Sequence, residues 1–228
     1  MRASIGTVLL AGVLLGAPAL RAQAAAAVTA PGAKLNAASE LVVKLVDDHY
    51  NNLKSLETQY TEHYTGMGMD KLETGTLLLK KPGRMRWNYD KPAGKVFVLD
   101  GKFGWFYTPG DAQAQKISAK QLDDLRSPLR FLLGHTKLKS ELDGIAVVSE
   151  DGGFRITGVP KGMEQRVKLL TVVVTPAGMI QRMRVEELDG SATEFDFHGM
   201  KENVAVGEDA FHFAPPAGVS IVEGQPPI

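Results

Sequence analysis

Arg84-Met-Arg-Trp-Asn-Tyr-Asp-Lys-Pro-Ala-Gly-Lys-Val-Phe-Val-Leu-Asp-Gly-Lys-Phe-Gly-Trp-Phe-Tyr107 is the stretch on which the fold turns. Met85, Trp87 and Tyr89 alternate with Arg84, Arg86 and Asn88, the period of two expected of a strand with one apolar and one polar side. Val96–Leu99 and Phe103–Tyr107 then flank Asp100-Gly101, a pair that tolerates the positive φ angles of a tight hairpin turn. Three successive strands are predicted, joined by short connections and therefore antiparallel.

Upstream, Asn36 is a candidate N-cap, and Leu41 and Leu45 together with Val42, Val46, Tyr50 and Leu53 recur at helical spacing. An amphipathic helix is expected there. Residues 56–64 switch to a period of two, Gly66 and Gly68 supply a turn, and residues 75–80 form a second strand ending at Pro82-Gly83. Downstream, Ser127-Pro128 followed by Leu129, Phe131, Leu132, Leu133 and Gly134 has a start, an apolar turn and a stop, and predicts a short central helix. Strands are expected again near 145–148, 154–158, 166–175, 179–186, 193–197 and 211–213, punctuated by Asp151-Gly152-Gly153, Pro176-Ala177-Gly178 and Asp189-Gly190. The fold class is mainly β with some α: one curved sheet of about ten or eleven mostly antiparallel strands, an N-terminal helix and a central helical insertion.

The first residues belong to another task. Arg2 precedes an uncharged run from Ile5 to Leu15, and small residues surround Ala22-Gln23-Ala24, which is the pattern of a secretory signal peptide over 1–24. Residues 25–34 read as a flexible leader, and the fold is expected over 35–228. No later run approaches about 18 apolar residues, so the mature chain is expected to be soluble. Of 26 basic and 26 acidic residues, removal of the signal peptide takes Arg2 and Arg21, leaving a charge near −2. The basic footprint of a nucleic-acid partner is lacking. With no cysteine, the chain has neither a disulfide framework nor a thiol for a lipid anchor of its own.

Motifs for chemistry are lacking. The histidines His49, His63, His135, His198 and His212 show no metal-ligand spacing, no serine sits in G-x-S-x-G, and no phosphate-cradling glycine loop occurs. Asp123-Asp124 and Glu186-Glu187 are adjacent, which on a strand sends the two side chains to opposite faces. Met67 and Met69 read as a loop tip rather than a metal site. Neither a cofactor nor an enzymatic activity is expected.

Five blocks, in order, resemble one family: Gly75-Thr-Leu-Leu-Leu-Lys-Lys-Pro82, Arg84-Met-Arg-Trp-Asn-Tyr89, Val98-Leu-Asp-Gly-Lys-Phe-Gly-Trp-Phe-Tyr107, Ser127-Pro-Leu-Arg-Phe-Leu-Leu133 and Phe211-His-Phe-Ala-Pro-Pro-Ala-Gly-Val219. They are similar to the LolA family of periplasmic lipoprotein carriers. That resemblance implies an incomplete antiparallel barrel whose open mouth is covered by helices. It also implies an apolar cavity that shelters lipoprotein acyl chains, loading by an inner-membrane ABC-type lipoprotein-releasing complex, delivery to an outer-membrane lipoprotein acceptor, and action as a monomer in the periplasm.

On this reading Leu77, Leu79, Met85, Trp87, Tyr89, Val96, Val98, Phe103 and Trp105 line the cavity, with Met85 at an entrance where the family commonly has Phe. Pro128, Leu129, Leu132 and Leu133 belong to the lid. Lys81 stands where the family has a lid-latching arginine, with a flexible stem in place of a planar fork. Rival readings are a carrier of another lipid or amphiphile, a sensor of mislocalised lipoproteins in an envelope-stress pathway, and, least supported, a lipid hydrolase.

Overall fold

The computed structural model describes residues 35–120 and 137–224. The expected signal peptide, leader and lid segment, including Pro128, Leu129, Leu132 and Leu133, lie outside the described residues.

Helix α1 spans Ala37–Asn52. Asn36 caps it, its side-chain oxygen accepting from the Ser39 N–H at 2.8 Å, and Leu53 ends it in an extended conformation. Of the two apolar sets in its sequence, the second is the buried one: Val42, Val46 and Tyr50, joined by Val43, face the sheet, whereas Leu41 is 69% exposed. A 12-stranded sheet follows, in the spatial order β12-β6-β5-β4-β3-β2-β1-β11-β10-β9-β8-β7.

The strands are β1 (Ser55–Gly66), β2 (Met69–Lys80), β3 (Arg84–Lys91), β4 (Val96–Leu99), β5 (Phe103–Tyr107), β6 (Gln113–Ser118), β7 (Leu142–Glu150), β8 (Gly153–Pro160), β9 (Val167–Val174), β10 (Ile180–Glu187), β11 (Ala192–Glu202) and β12 (Ser220–Glu223). All neighbours pair antiparallel except β12, which runs parallel to β6. Among the described residues the order does not close on itself, and β12 and β7 are its two edge strands.

The sheet is strongly curled. Trp87 on β3 and Phe195 on β11 are three strands apart, about 14 Å in a flat sheet, yet their rings lie 5.4 Å apart. This curvature makes an incomplete barrel with α1 on its inner face. One contiguous cluster joins Val43, Val46 and Tyr50 of α1 to side chains from β1, β2, β3, β7, β8, β9, β10 and β11.

Three expectations are corrected. Residues 211–213 are not a strand: Glu208–Phe211 is a 3₁₀ turn, after which the chain crosses the outside of the sheet. Strands β6 and β12 were not foreseen, because Gln113–Ser118 is mostly polar and Ser220–Glu223 is short. The tight turn after Leu99 is centred one residue later than expected, on Gly101-Lys102, with the Asp100 N–H donating to the Phe103 carbonyl at 3.0 Å. Leu99 pairs with Gly104, only Gly101 has positive φ, and the Asp100 carboxylate closes the loop by accepting from the Lys102 and Phe103 N–H groups at 2.7 Å.

Candidate functional site

The period of two places directly paired residues on one side of the sheet, so register decides which residues face inward. Leu56 pairs with Leu79, Thr58 with Leu77 and Tyr60 with Gly75; Leu79, Leu77 and Gly75 pair in turn with Met85, Trp87 and Tyr89. All of these share the inner face with α1. Leu77, Leu79, Met85 and Trp87 are buried, and the half-buried Tyr89 packs against them. Tyr60, Trp87, Phe195 and Phe197 form an aromatic group, with Tyr60 and Trp87 edge-to-face at 4.6 Å. Sequence reasoning missed Tyr60, Phe195 and Phe197, although each lies on a strand that it had located.

Four of the nine expected cavity residues lie on the other side. Met85 pairs with Leu99 and Trp87 with Phe97, so Val96 and Val98 point outward, and Val98 pairs with Trp105. Val96, Val98 and Trp105 pack instead with Ala114, Phe211 and Phe213 in a second cluster. Phe103 shares that side, its ring 6.0 Å from that of Trp105 and beneath the Lys116 ammonium. The inward residues of β4 and β5 are Phe97, Leu99 and Phe106, with Phe97 stacked on Phe106 at 4.4 Å. Met85 is 2% exposed in the cluster that includes α1 rather than at an entrance, and it accepts a hydrogen bond from the Trp87 indole N–H at 2.9 Å.

The outer cluster explains several sequence blocks. Arg86 donates to the Ala210 and His212 carbonyls at 3.3 and 3.1 Å, and Lys80 donates to the Val206 carbonyl at 2.8 Å. The polar side of β2 and β3 therefore grips a C-terminal strap. Asp100 accepts from the Trp105 indole at 2.8 Å. Partial burial opposes its ionisation, but that bond and those from Phe103 and Lys102 prevail and hold the carboxyl below the usual range.

Lys81 donates to the backbone carbonyl of Tyr50, in the last turn of α1, where a cation also suits the helix dipole. Burial pulls its pKa down. Tyr50 is itself tied to the sheet, its hydroxyl accepting from the Ile180 N–H at 3.1 Å. The lysine expected to hold the lid thus holds this helix.

Inward residues are unequally covered. Leu56, Leu79, Ile180 and Met183 are wholly buried, while Tyr89, Phe97, Phe106 and Val185 on the same face are only half-buried. Among the described residues no group of three or more His, Cys, Asp or Glu is arranged to hold a metal ion, and no helix is long and apolar enough to cross a membrane. His49 and His63 pair singly with Glu202 and Asp70, and Glu186 and Glu187 lie in surface ion pairs with Arg184, Lys168 and Arg166.

The family described as "Outer membrane lipoprotein carrier protein LolA" matches residues 51–214. The chain belongs to that family. Its LolA-family relatives include the outer-membrane lipoprotein carrier protein of Nitrosospira multiformis, 26% identical over 65% of this chain and 72% of that one. The protein of the same description from Xanthomonas campestris pv. campestris is 28% identical over 78% and 86%. Among solved structures, the Mycobacterium tuberculosis lipoprotein LppX superposes with a TM-score of 0.50 at 16% identity, over 77% of this chain and all of that one; that likeness bears on fold alone. Mainly β, open and mostly antiparallel, the fold fits the incomplete barrel of a LolA-family carrier.

Proposed function

We propose that this chain is a periplasmic carrier that takes lipoproteins released from the inner membrane, shelters their acyl chains against the inner face of the half-barrel, and passes them to an outer-membrane acceptor. The observation that carries this reading is the continuity of the inner apolar face. It runs from the buried side chains in the cluster with α1 out to Tyr89, Phe97, Phe106 and Val185, which stay partly open.

The driving force is elementary. Each methylene taken out of water contributes about 0.8 kcal/mol, so a lipoprotein bearing long acyl chains needs a greasy surface to cross an aqueous space. Half-buried aromatic rings on a curled sheet supply such a surface beside the packed core. On the sequence reading, the signal peptide over 1–24 exports the chain, and Leu129, Leu132 and Leu133 cover the same face when no cargo is bound. Cargo then competes with side chains of the protein itself, and the loaded and empty forms must differ by only a few kcal/mol for exchange to be reversible. An ATP-driven complex in the inner membrane supplies direction, and the acceptor removes cargo by offering a more favourable site.

The test is recovery of the native protein from the periplasm followed by mass spectrometry of what accompanies it. Acylated N-terminal peptides of lipoproteins are expected, and their loss on addition of purified acceptor. Recovery of free phospholipid alone, or of nothing, contradicts the reading.

A further inference from the structure

Beyond the aromatic group, the inner face changes character. Glu62 on β1 pairs directly with Glu73 on β2, so two carboxylates stand side by side on the cavity side of the sheet. Neither is strongly exposed: Glu73 is 19% accessible, and burial is the main influence raising the Glu62 pKa. Among the described residues, one cation serves both. Lys95 binds Glu73 at 2.5 Å and lies 4.1 Å over the Tyr89 ring. Glu62 receives one long hydrogen bond, from the Tyr89 hydroxyl at 3.3 Å. When both carboxylates are ionised, this one ammonium leaves a single negative charge uncompensated among the described residues.

A second observation points the same way. Tyr60 is 1% exposed, and its hydroxyl is buried without a hydrogen-bond partner. Burial first, and then Tyr89, Glu62 and Glu73, disfavour its ionisation. The hydroxyl crowds Gly75, where a Cβ would come within 2.7 Å of it. An unpaired buried hydroxyl costs free energy unless a ligand completes it. Glycine at 75 is required first by the Asn88 carbonyl, which a Cβ would approach to 2.0 Å, and it also leaves room for this hydroxyl.

We propose that Glu62, with Tyr60 and Tyr89, receives the primary ammonium group of an amine-bearing amphiphile whose acyl chains lie along the neighbouring aromatic face. An ammonium has three donors and no acceptor. It would give one to the free Glu62 oxygen and one to the Tyr60 hydroxyl, and it would neutralise the charge that Lys95 leaves over. The chemistry fits two sources: the free α-amino terminus of a diacylated lipoprotein, and an ethanolamine phospholipid head. The proposal rests on the carrier reading and adds head-group selectivity to it.

Calorimetric titration of the full mature chain tests it with four probes: a diacylglyceryl-cysteine peptide with a free α-amine, the same peptide N-acetylated, and short-chain phosphatidylethanolamine and phosphatidylglycerol. At least one amine probe should bind about tenfold tighter than its uncharged or anionic counterpart. Glu62→Gln, which keeps shape and removes charge, should abolish that preference while leaving the acetylated peptide's affinity unchanged. Which amine probe shows the preference identifies the source. Equal affinities within both pairs, or a preference that survives Glu62→Gln, overturns the ammonium site and leaves the carrier reading standing. Failure of all four probes to bind overturns both.

Discussion

The two sides of strands β3 to β5 are both apolar, yet they are closed in different ways. Outside, Val96, Val98 and Trp105 lie under a strap of the chain's own C-terminal residues, and directional bonds fix the strap: Arg86 to two carbonyls, Lys80 to a third, and Arg84 and Lys80 to Glu208. Inside, Trp87 and Leu99 are buried in the cluster that includes α1, whereas Phe97 and Phe106 on the same face are only half-buried. A surface sealed by peptide bonded to it is structural. A surface of the same composition left partly open is the one we propose for the ligand.

The largest contrast is expected from neighbouring residues of β4. Val98 is 0% exposed on the outer side, so Val98→Asp buries an unpaired charge and should cost about 4 kcal/mol or more, seen as loss of the cooperative thermal transition. Phe97→Glu, one residue away and half-buried inside, should keep that transition and lose lipoprotein co-purification. If both unfold, the two faces are not distinct in role.

Arg86→Ala is next. It strips the Ala210 and His212 carbonyls of their donor and should cost about 1–3 kcal/mol, with hydrogen-exchange protection lost first around residues 204–219 and cargo binding preserved. Asp100→Asn should cost about 1 kcal/mol, because the carboxylate accepts three hydrogen bonds. Its folded pKa is depressed, so the stabilisation is present above the ordinary Asp range and is lost as pH falls through the folded value. Denaturation at neutral and at strongly acidic pH should therefore separate wild type from Asp100→Asn only in the former.

Lys81→Ala has the smallest expected effect on stability, about 0.5 kcal/mol, because it removes one bond at the end of α1. Faster hydrogen exchange confined to 48–53 would show that Lys81 anchors this helix.

Much of this organisation was legible in the sequence. The Asn36 cap, the Val42, Val46, Tyr50 stripe and the alternation through Met85, Trp87 and Tyr89 each rest on a local period that the tertiary structure kept. The inner face of β4 was not legible, for a physical reason. Val96-Phe97-Val98-Leu99 is apolar at all four positions, so alternation carries no information about which pair points inward. The turn supplied the missing register: with Asp100 to Phe103 as the loop, Leu99 opposes Gly104 and Phe97 opposes Phe106. The Phe211-x-Phe213 block also needed a surface to pack on, which only outward-facing Val96, Val98 and Trp105 provide. Glu62 and Glu73 were missed because they are eleven residues apart in sequence and meet only through the long β1–β2 hairpin. Its tight turn, with Met67 and Gly68 both at positive φ, sets that pairing.

The central claim, that the inner face of the half-barrel holds acyl chains, is tested most directly by native mass spectrometry of the mature chain mixed with a synthetic diacylated lipopeptide. A one-to-one complex with wild type, retained by Arg86→Ala and absent with Phe97→Glu, is the predicted result. No complex with wild type, or an undiminished one with Phe97→Glu, would contradict it.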